Sequence, residues 1–89
     1  MTATTVKVLN ELGLHARPIA KLVKTVKGYG GIIRFEKDGK RYDAASLSEM
    51  LVMNAQKDDE LRVEVEGDDE TGISQTIEQM FLNRFGERN

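Results

Sequence analysis

The 89-residue chain is 39% hydrophobic and 31% charged, a composition ordinary for one small globular domain spanning residues 1–89. With no cysteine and a single histidine, it offers no disulfide framework, no thiol catalysis and no histidine-based metal cluster, and no cofactor is implied. Residues 1–57 hold ten Lys/Arg against five Asp/Glu and residues 58–89 three against ten, an asymmetry that predicts a basic face and an acidic one.

Thr4 to Leu9 is β-branched and partly alternating and reads as a first strand. A loop over 10–14 leads to a helix over 16–27, whose expected apolar face is Ala16, Ile19, Ala20, Val23 and Val26, widened by Leu22. Gly28 stands where a helix commonly stops. Ile32 to Glu36 reads as a second strand, and Asp38-Gly39 is a strong two-residue hairpin signal leading to a return strand over 41–43. Residues 46–54 predict a short helix with Leu47, Met50, Leu51 and Asn54 on one side. Leu61 to Glu66 alternates cleanly, as a strand with one buried and one wet face does. Asp68 or Asp69 can cap a last helix carrying Ile73, Ile77, Met80, Phe81 and Phe85, with Gly86 as its stop. The order βαββαβα predicts an α+β open-faced β-sandwich, a four-stranded antiparallel sheet with three helices on one face.

The N-terminus carries no basic stretch followed by an apolar one, and no apolar run approaches membrane-spanning length, so no membrane insertion is expected and the cytoplasm is the expected compartment.

The chemistry concentrates at Gly13-Leu14-His15-Ala16-Arg17-Pro18, immediately before the first helical pattern. A helix N-terminus offers unpaired N–H groups and the positive end of the dipole, which favour an anion. An imidazole there, with an ordinary pKa of about 6.5, is a neutral nucleophile near neutrality. Arg17 follows two residues later and can make charge-assisted contacts to phosphoryl oxygens. The combination predicts a histidine that accepts a phosphoryl group, against the plain alternative of a histidine that packs in a loop.

Ser46 stands three residues before Glu49, the spacing of a capping box, and is equally a helix-terminal serine where added negative charge is tolerated. Arg17, Lys21, Lys24 and Lys27 lie near one face of the first helix, either as a solvated face or as a docking stripe for acidic partners. Leu47 and Leu51 either pack inward or leave an apolar contact surface.

The Gly13 to Pro18 run resembles, residue for residue, the active-site signature of the HPr family, the histidine phosphocarriers of the bacterial phosphoenolpyruvate-dependent sugar phosphotransferase system. The resemblance spans nearly the whole chain, and Ser46 falls at the family's regulatory serine. It implies an open-faced β-sandwich phosphocarrier, not an enzyme, with His15 phosphorylated on Nδ1 by enzyme I and Arg17 touching the phosphoryl group. It further implies transfer to IIA domains of sugar permeases and modification of Ser46 by HPr kinase/phosphorylase. The serine-centred stretch departs from the family in Ser48, Glu49 and Asn54, and Asn10-Glu11-Leu12-Gly13 is also similar to the nitrogen-branch paralogue NPr. Two other readings stand beside this one: an NPr-like regulatory carrier, and a non-transferring domain that docks acidic partners through Arg17, Lys21 and Lys24. With aromatics at 6%, the basic stripe lacks the stacking partners of a nucleic-acid surface. A monomer is expected.

Overall fold

The structure, a computed structural model, describes residues 1–87. Its elements are β1 (Thr2–Lys7), α1 (Ala16–Lys27), β2 (Ile32–Lys37), β3 (Lys40–Asp43), α2 (Leu47–Met53), β4 (Glu60–Glu66) and α3 (Glu70–Leu82), followed by a tight turn over Arg84–Gly86. The four strands form one antiparallel sheet in the order β1-β4-β2-β3. β1 and β2 therefore run parallel on either side of β4, and β3 and β4 run parallel on either side of β2, as two interlocked split β-α-β units. The helices lie against one face, giving the expected α+β open-faced β-sandwich.

The strand period decides which side chains meet them. Val6, Ile33, Phe35, Leu61, Val63 and Val65 point inward and are buried. Thr2 and Thr4, also facing inward, donate hydroxyl hydrogen bonds to Glu70 (2.8 Å) and Glu78 (2.7 Å) of α3. Helix α3 adds Ile77 and Phe81, and Phe81 packs edge-on against Phe85 with ring centroids 4.8 Å apart.

Several expectations shift. Strand β1 runs from Thr2 to Lys7 rather than over 4–9, because Val8 bonds to the turn before β4: its N–H donates to Asp59 O (3.0 Å) and its carbonyl accepts from Asp58 N (2.8 Å). The buried face of α1 is Pro18, Ile19, Leu22, Val23 and Val26, while Ala16 and Ala20 are exposed. Small alanines serve either face, and the larger side chains chose the orientation. Gly28 stops α1 without a left-handed residue (φ −79), through its N–H to Thr25 O at 3.2 Å. Helix α3 ends at Leu82 rather than at Gly86, because Arg84, Phe85 and Gly86 all take positive φ and redirect the chain.

In α2, Met50 and Met53 fill the core while Leu47 and Leu51 are about half exposed, so the inward side is one residue pair further round than the spacing suggested. Asn54, at φ +51, closes that helix in the left-handed conformation asparagine tolerates. The hairpin turn has Asp38 (φ +53) and Gly39 (φ +80) both at positive φ, as a type I′ turn demands.

The wet face of β4 is not uniformly wet. Glu64 is 4% exposed, enclosed by Arg41 Nε (3.1 Å), Arg62 Nε (3.2 Å) and Arg34 Nε (3.8 Å). The hydrogen bond from Arg62 is the largest influence on its carboxyl. Together with the charge of Arg41 it holds the carboxyl below the usual carboxylate range, against the opposing push of burial. The same cluster revises the expectation of separate basic and acidic faces. Arg34 and Arg41 pair with Glu64, Lys37 with Asp59 and Lys7 with Asp58, so acids of the second part cover these four bases of the first, while Lys57 pairs with Glu11 within the first part.

Candidate phosphoryl-acceptor site

The loop before α1 is set by Gly13. At φ +74 its N–H bonds Asn10 O (2.9 Å), and a Cβ there would stand 2.8 Å from Ala55 O. The next amide, of Leu14, donates to that same Ala55 carbonyl (2.9 Å), and the Leu14 side chain is buried. Anchored this way, the chain delivers His15 to the N-cap of α1 with extended backbone (φ −93, ψ −171).

His15 uses its carbonyl to accept the first helical bond, from Ile19 N at 3.1 Å, but its side chain caps nothing. Pro18, in the first turn, has no N–H to satisfy. The Ala16 and Arg17 amides remain, and neither has a hydrogen-bond partner among the described residues. Two donors at the positive end of a twelve-residue helix dipole thus lie beside a partly exposed imidazole. Arg17 is exposed and makes no ion pair among the described residues.

The imidazole is nevertheless oriented. Its Nε2 lies 3.1 Å from Glu87 Oε2 and 3.2 Å from Glu87 Oε1. Glu87 in turn accepts from Asn10 Nδ2 at 2.6 Å, and the same amide nitrogen donates to Arg84 O at 2.9 Å. Asn10 is fully buried. Neither Asn10 nor Glu87 stood out in sequence as a site residue: they meet His15 only because the Arg84–Gly86 turn doubles back. Lys21 secures that turn from α1, donating from Nζ to Phe85 O at 2.7 Å.

Seventy-odd residues of chain separate the parts of this site, and the other sequence-predicted residues are distributed around it. Lys21 is committed to the turn, whereas Lys24 is exposed and, with Ala20, Val23, Lys27 and Leu47, lines a shallow depression between α1 and α2. Ser46 caps α2, its Oγ accepting from Glu49 N at 3.2 Å and lying 3.2 Å from Ser48 Oγ. The reciprocal half of the expected capping box is displaced: Glu49 Oε1 accepts from Asp43 N (3.1 Å), while Ser46 N donates to Asp43 O (3.0 Å). The N-terminus of α2 is thus stapled to the end of β3, whereas the loop before α1 is held by Ala55, just beyond α2.

Residues 2–83 match the family described as the PTS HPr component phosphorylation site. The chain belongs to the HPr family. It is 38% identical to the phosphocarrier protein HPr of Treponema pallidum over 98% of this chain and 99% of that one. Against HPr of Xylella fastidiosa it is 35% identical over 90% of each. In structure it is similar to HPr-C-His from Thermoanaerobacter tengcongensis, with a TM-score of 0.94, 30% identity and full coverage of both chains. HPr from Bacillus anthracis gives a TM-score of 0.85 at 25% identity, over 90% of this chain and 95% of that one. HPr proteins are phosphocarriers of the phosphotransferase system rather than catalytic enzymes, and the chain is an HPr-family phosphocarrier in that sense. No helix among the described residues is long and apolar enough to cross a membrane.

Proposed function

We propose that this chain, acting as one phosphocarrier domain, accepts a phosphoryl group from enzyme I on His15 Nδ1 and passes it to IIA domains of sugar permeases. The observation that carries the reading is the placement of His15 at the head of α1, with the Ala16 and Arg17 amides beside it unpartnered among the described residues and Nε2 already engaged. Nδ1 is the ring nitrogen without a partner among the described residues, and phosphoryl transfer needs little beyond a positioned nucleophile and charge stabilisation. Arg17 supplies a guanidinium for the phosphoryl oxygens.

Docking rests on Leu47 and Leu51, with Lys24 at their edge and Lys21 shaping the turn beside the histidine. Ser46 is the regulatory position, open to HPr kinase/phosphorylase where that enzyme exists; its modification replaces a neutral cap by a charged one. The setting is cytoplasmic and the protein works as a monomer, without nucleic acid and without entering the bilayer.

The test is intact mass after incubation with enzyme I and phosphoenolpyruvate. A gain of one phosphate, lost in acid and absent in a folded His15→Ala variant, supports the reading. Phosphorylation of His15→Ala would refute the site. A preference for the nitrogen-branch enzyme I over the sugar-branch enzyme would assign the chain to an NPr-like role, a reading favoured by Asn10-Glu11-Leu12-Gly13. Partner binding that survives His15→Ala with no phosphorylation of the wild type would leave only a docking domain.

A further inference from the structure

The nitrogen of His15 that the proposed chemistry does not use faces a carboxylate held in place by buried groups. Both oxygens of Glu87 lie within 3.2 Å of Nε2, and the Glu87 side chain is 16% exposed. Its direction is fixed twice. Buried Asn10 donates to Oε1, and the Glu87 N–H bonds Arg84 O at 2.9 Å, closing the turn on itself. That turn holds two non-glycine residues, Arg84 (φ +53) and Phe85 (φ +54), in the left-handed region. Such backbone persists only where its surroundings over-determine it. Here they are the burial of Phe85 against Phe81 and the Lys21 bond to Phe85 O.

A carboxylate has only acceptors, and a neutral imidazole has one N–H. Facing Glu87, that N–H must be on Nε2, which leaves the lone pair on Nδ1. We propose that Glu87 is a positioning residue for phosphoryl transfer at His15, an inference that rests on the proposed function above. The Nδ1 lone pair forms the N–P bond as the bond from phosphorus to its donor atom breaks, the electron pair leaving with the donor. No proton leaves the ring. The positive charge the ring gains is carried by Nε2–H against the Glu87 carboxylate, and Asn10 keeps that carboxylate from swinging away. On transfer to the next acceptor the N–P pair returns to Nδ1 and the same contact remains. Placing the orienting carboxylate on Nε2, opposite the reacting nitrogen, keeps its negative charge on the far side of the ring from the incoming phosphoryl group.

The experiment uses the full chain with ¹⁵N-labelled histidine, as wild type, Glu87→Ala and Glu87→Gln. At a pH where the ring is neutral, the wild type should show well-separated pyrrole-type Nε2 and pyridine-type Nδ1 resonances. In Glu87→Ala they should move toward each other as the tautomers mix. The initial rate of phosphorylation by enzyme I and phosphoenolpyruvate should fall roughly 10- to 100-fold, the scale of one charge-assisted hydrogen bond. Glu87→Gln, whose amide oxygen can still accept from Nε2–H, should restore the tautomer and part of the rate. A wild-type rate in Glu87→Ala, or a faster one, overturns the inference. So does a slower rate with an unchanged ¹⁵N pattern, which would make Glu87 merely structural. The tautomer readout needs no partner, so a wild type that takes up no phosphate fails the proposed function separately, and this inference with it.

Discussion

The ammonium of Lys21 lies 2.7 Å from the carbonyl oxygen of Phe85, tying the outer side of α1 to the turn that returns the chain to His15. A residue that reads in sequence as part of a solvated basic stripe is thereby a structural strut. Replacing it by methionine keeps the apolar stem and removes the donor. Lys21→Met should cost about 1 kcal/mol, a drop in Tm of roughly 4–8 °C for a domain of this size. A thermal melt followed by circular dichroism measures it, and an unchanged Tm would show that the bond is exchanged for water at no cost.

Gly13→Ala tests the loop that delivers the histidine. The added Cβ would stand 2.8 Å from Ala55 O on a backbone at φ +74, so both the space and the conformation are lost. A destabilisation of about 1–3 kcal/mol is expected, read from the urea midpoint. Phosphoryl acceptance by the fraction that remains folded should also slow, since Leu14 and His15 would have to shift together.

Stability should depend on pH through Glu64. Its carboxyl is more acidic in the folded chain than in the unfolded one, chiefly through the hydrogen bond from Arg62. Its stabilising contribution is therefore complete above the unfolded pKa of about 4.3 and is lost as pH falls through the lower folded value. Glu70, held down by the Thr2 hydroxyl and the Gly67 N–H, acts in the same direction. Glu64→Gln should be less stable than wild type at pH 7 and lose less stability on acidification. Urea midpoints at a series of pH values that ran parallel for the two proteins would remove Glu64 from the account.

Ser46→Ala removes the acceptor for the Glu49 N–H and should cost about 1 kcal/mol, measured by denaturant unfolding. Glu49 keeps its bond to the Asp43 N–H in that variant, so α2 should remain helical.

What the sequence disclosed was what neighbours in the chain decide among themselves. The alternation of Leu61 to Glu66, the Asp38-Gly39 turn and the glycine-histidine-arginine-proline run are local signals, and they mark a strand, a hairpin turn and the head of a helix. Read in chain order, such signals predicted the element order βαββαβα, and the family resemblance implied the same fold. The burial of Glu64 was not legible, because it depends on arginines contributed by β2, β3 and β4 side by side. The inward turn of Met53 instead of Leu51 was hidden in a seven-residue helix too short for its period to be read clearly. Glu87 was hidden most completely. Its meeting with His15 depends on three consecutive positive-φ residues, two of which carry side chains that give no warning of it.

The pairing of β1 with β4 also bears on how the molecule comes into being. β1 is made before the other described strands, yet its strand neighbour among the described residues begins at Glu60. At about 5–20 residues per second of synthesis, β1 waits on the order of several seconds for its partner to be translated. During that interval β2 and β3 can already zip into their hairpin, with the second edge of β2 still open. A nascent chain halted before Glu60 therefore lacks the strand that joins β1 to β2, and the centre of the sheet is the last part of the sheet to be filled.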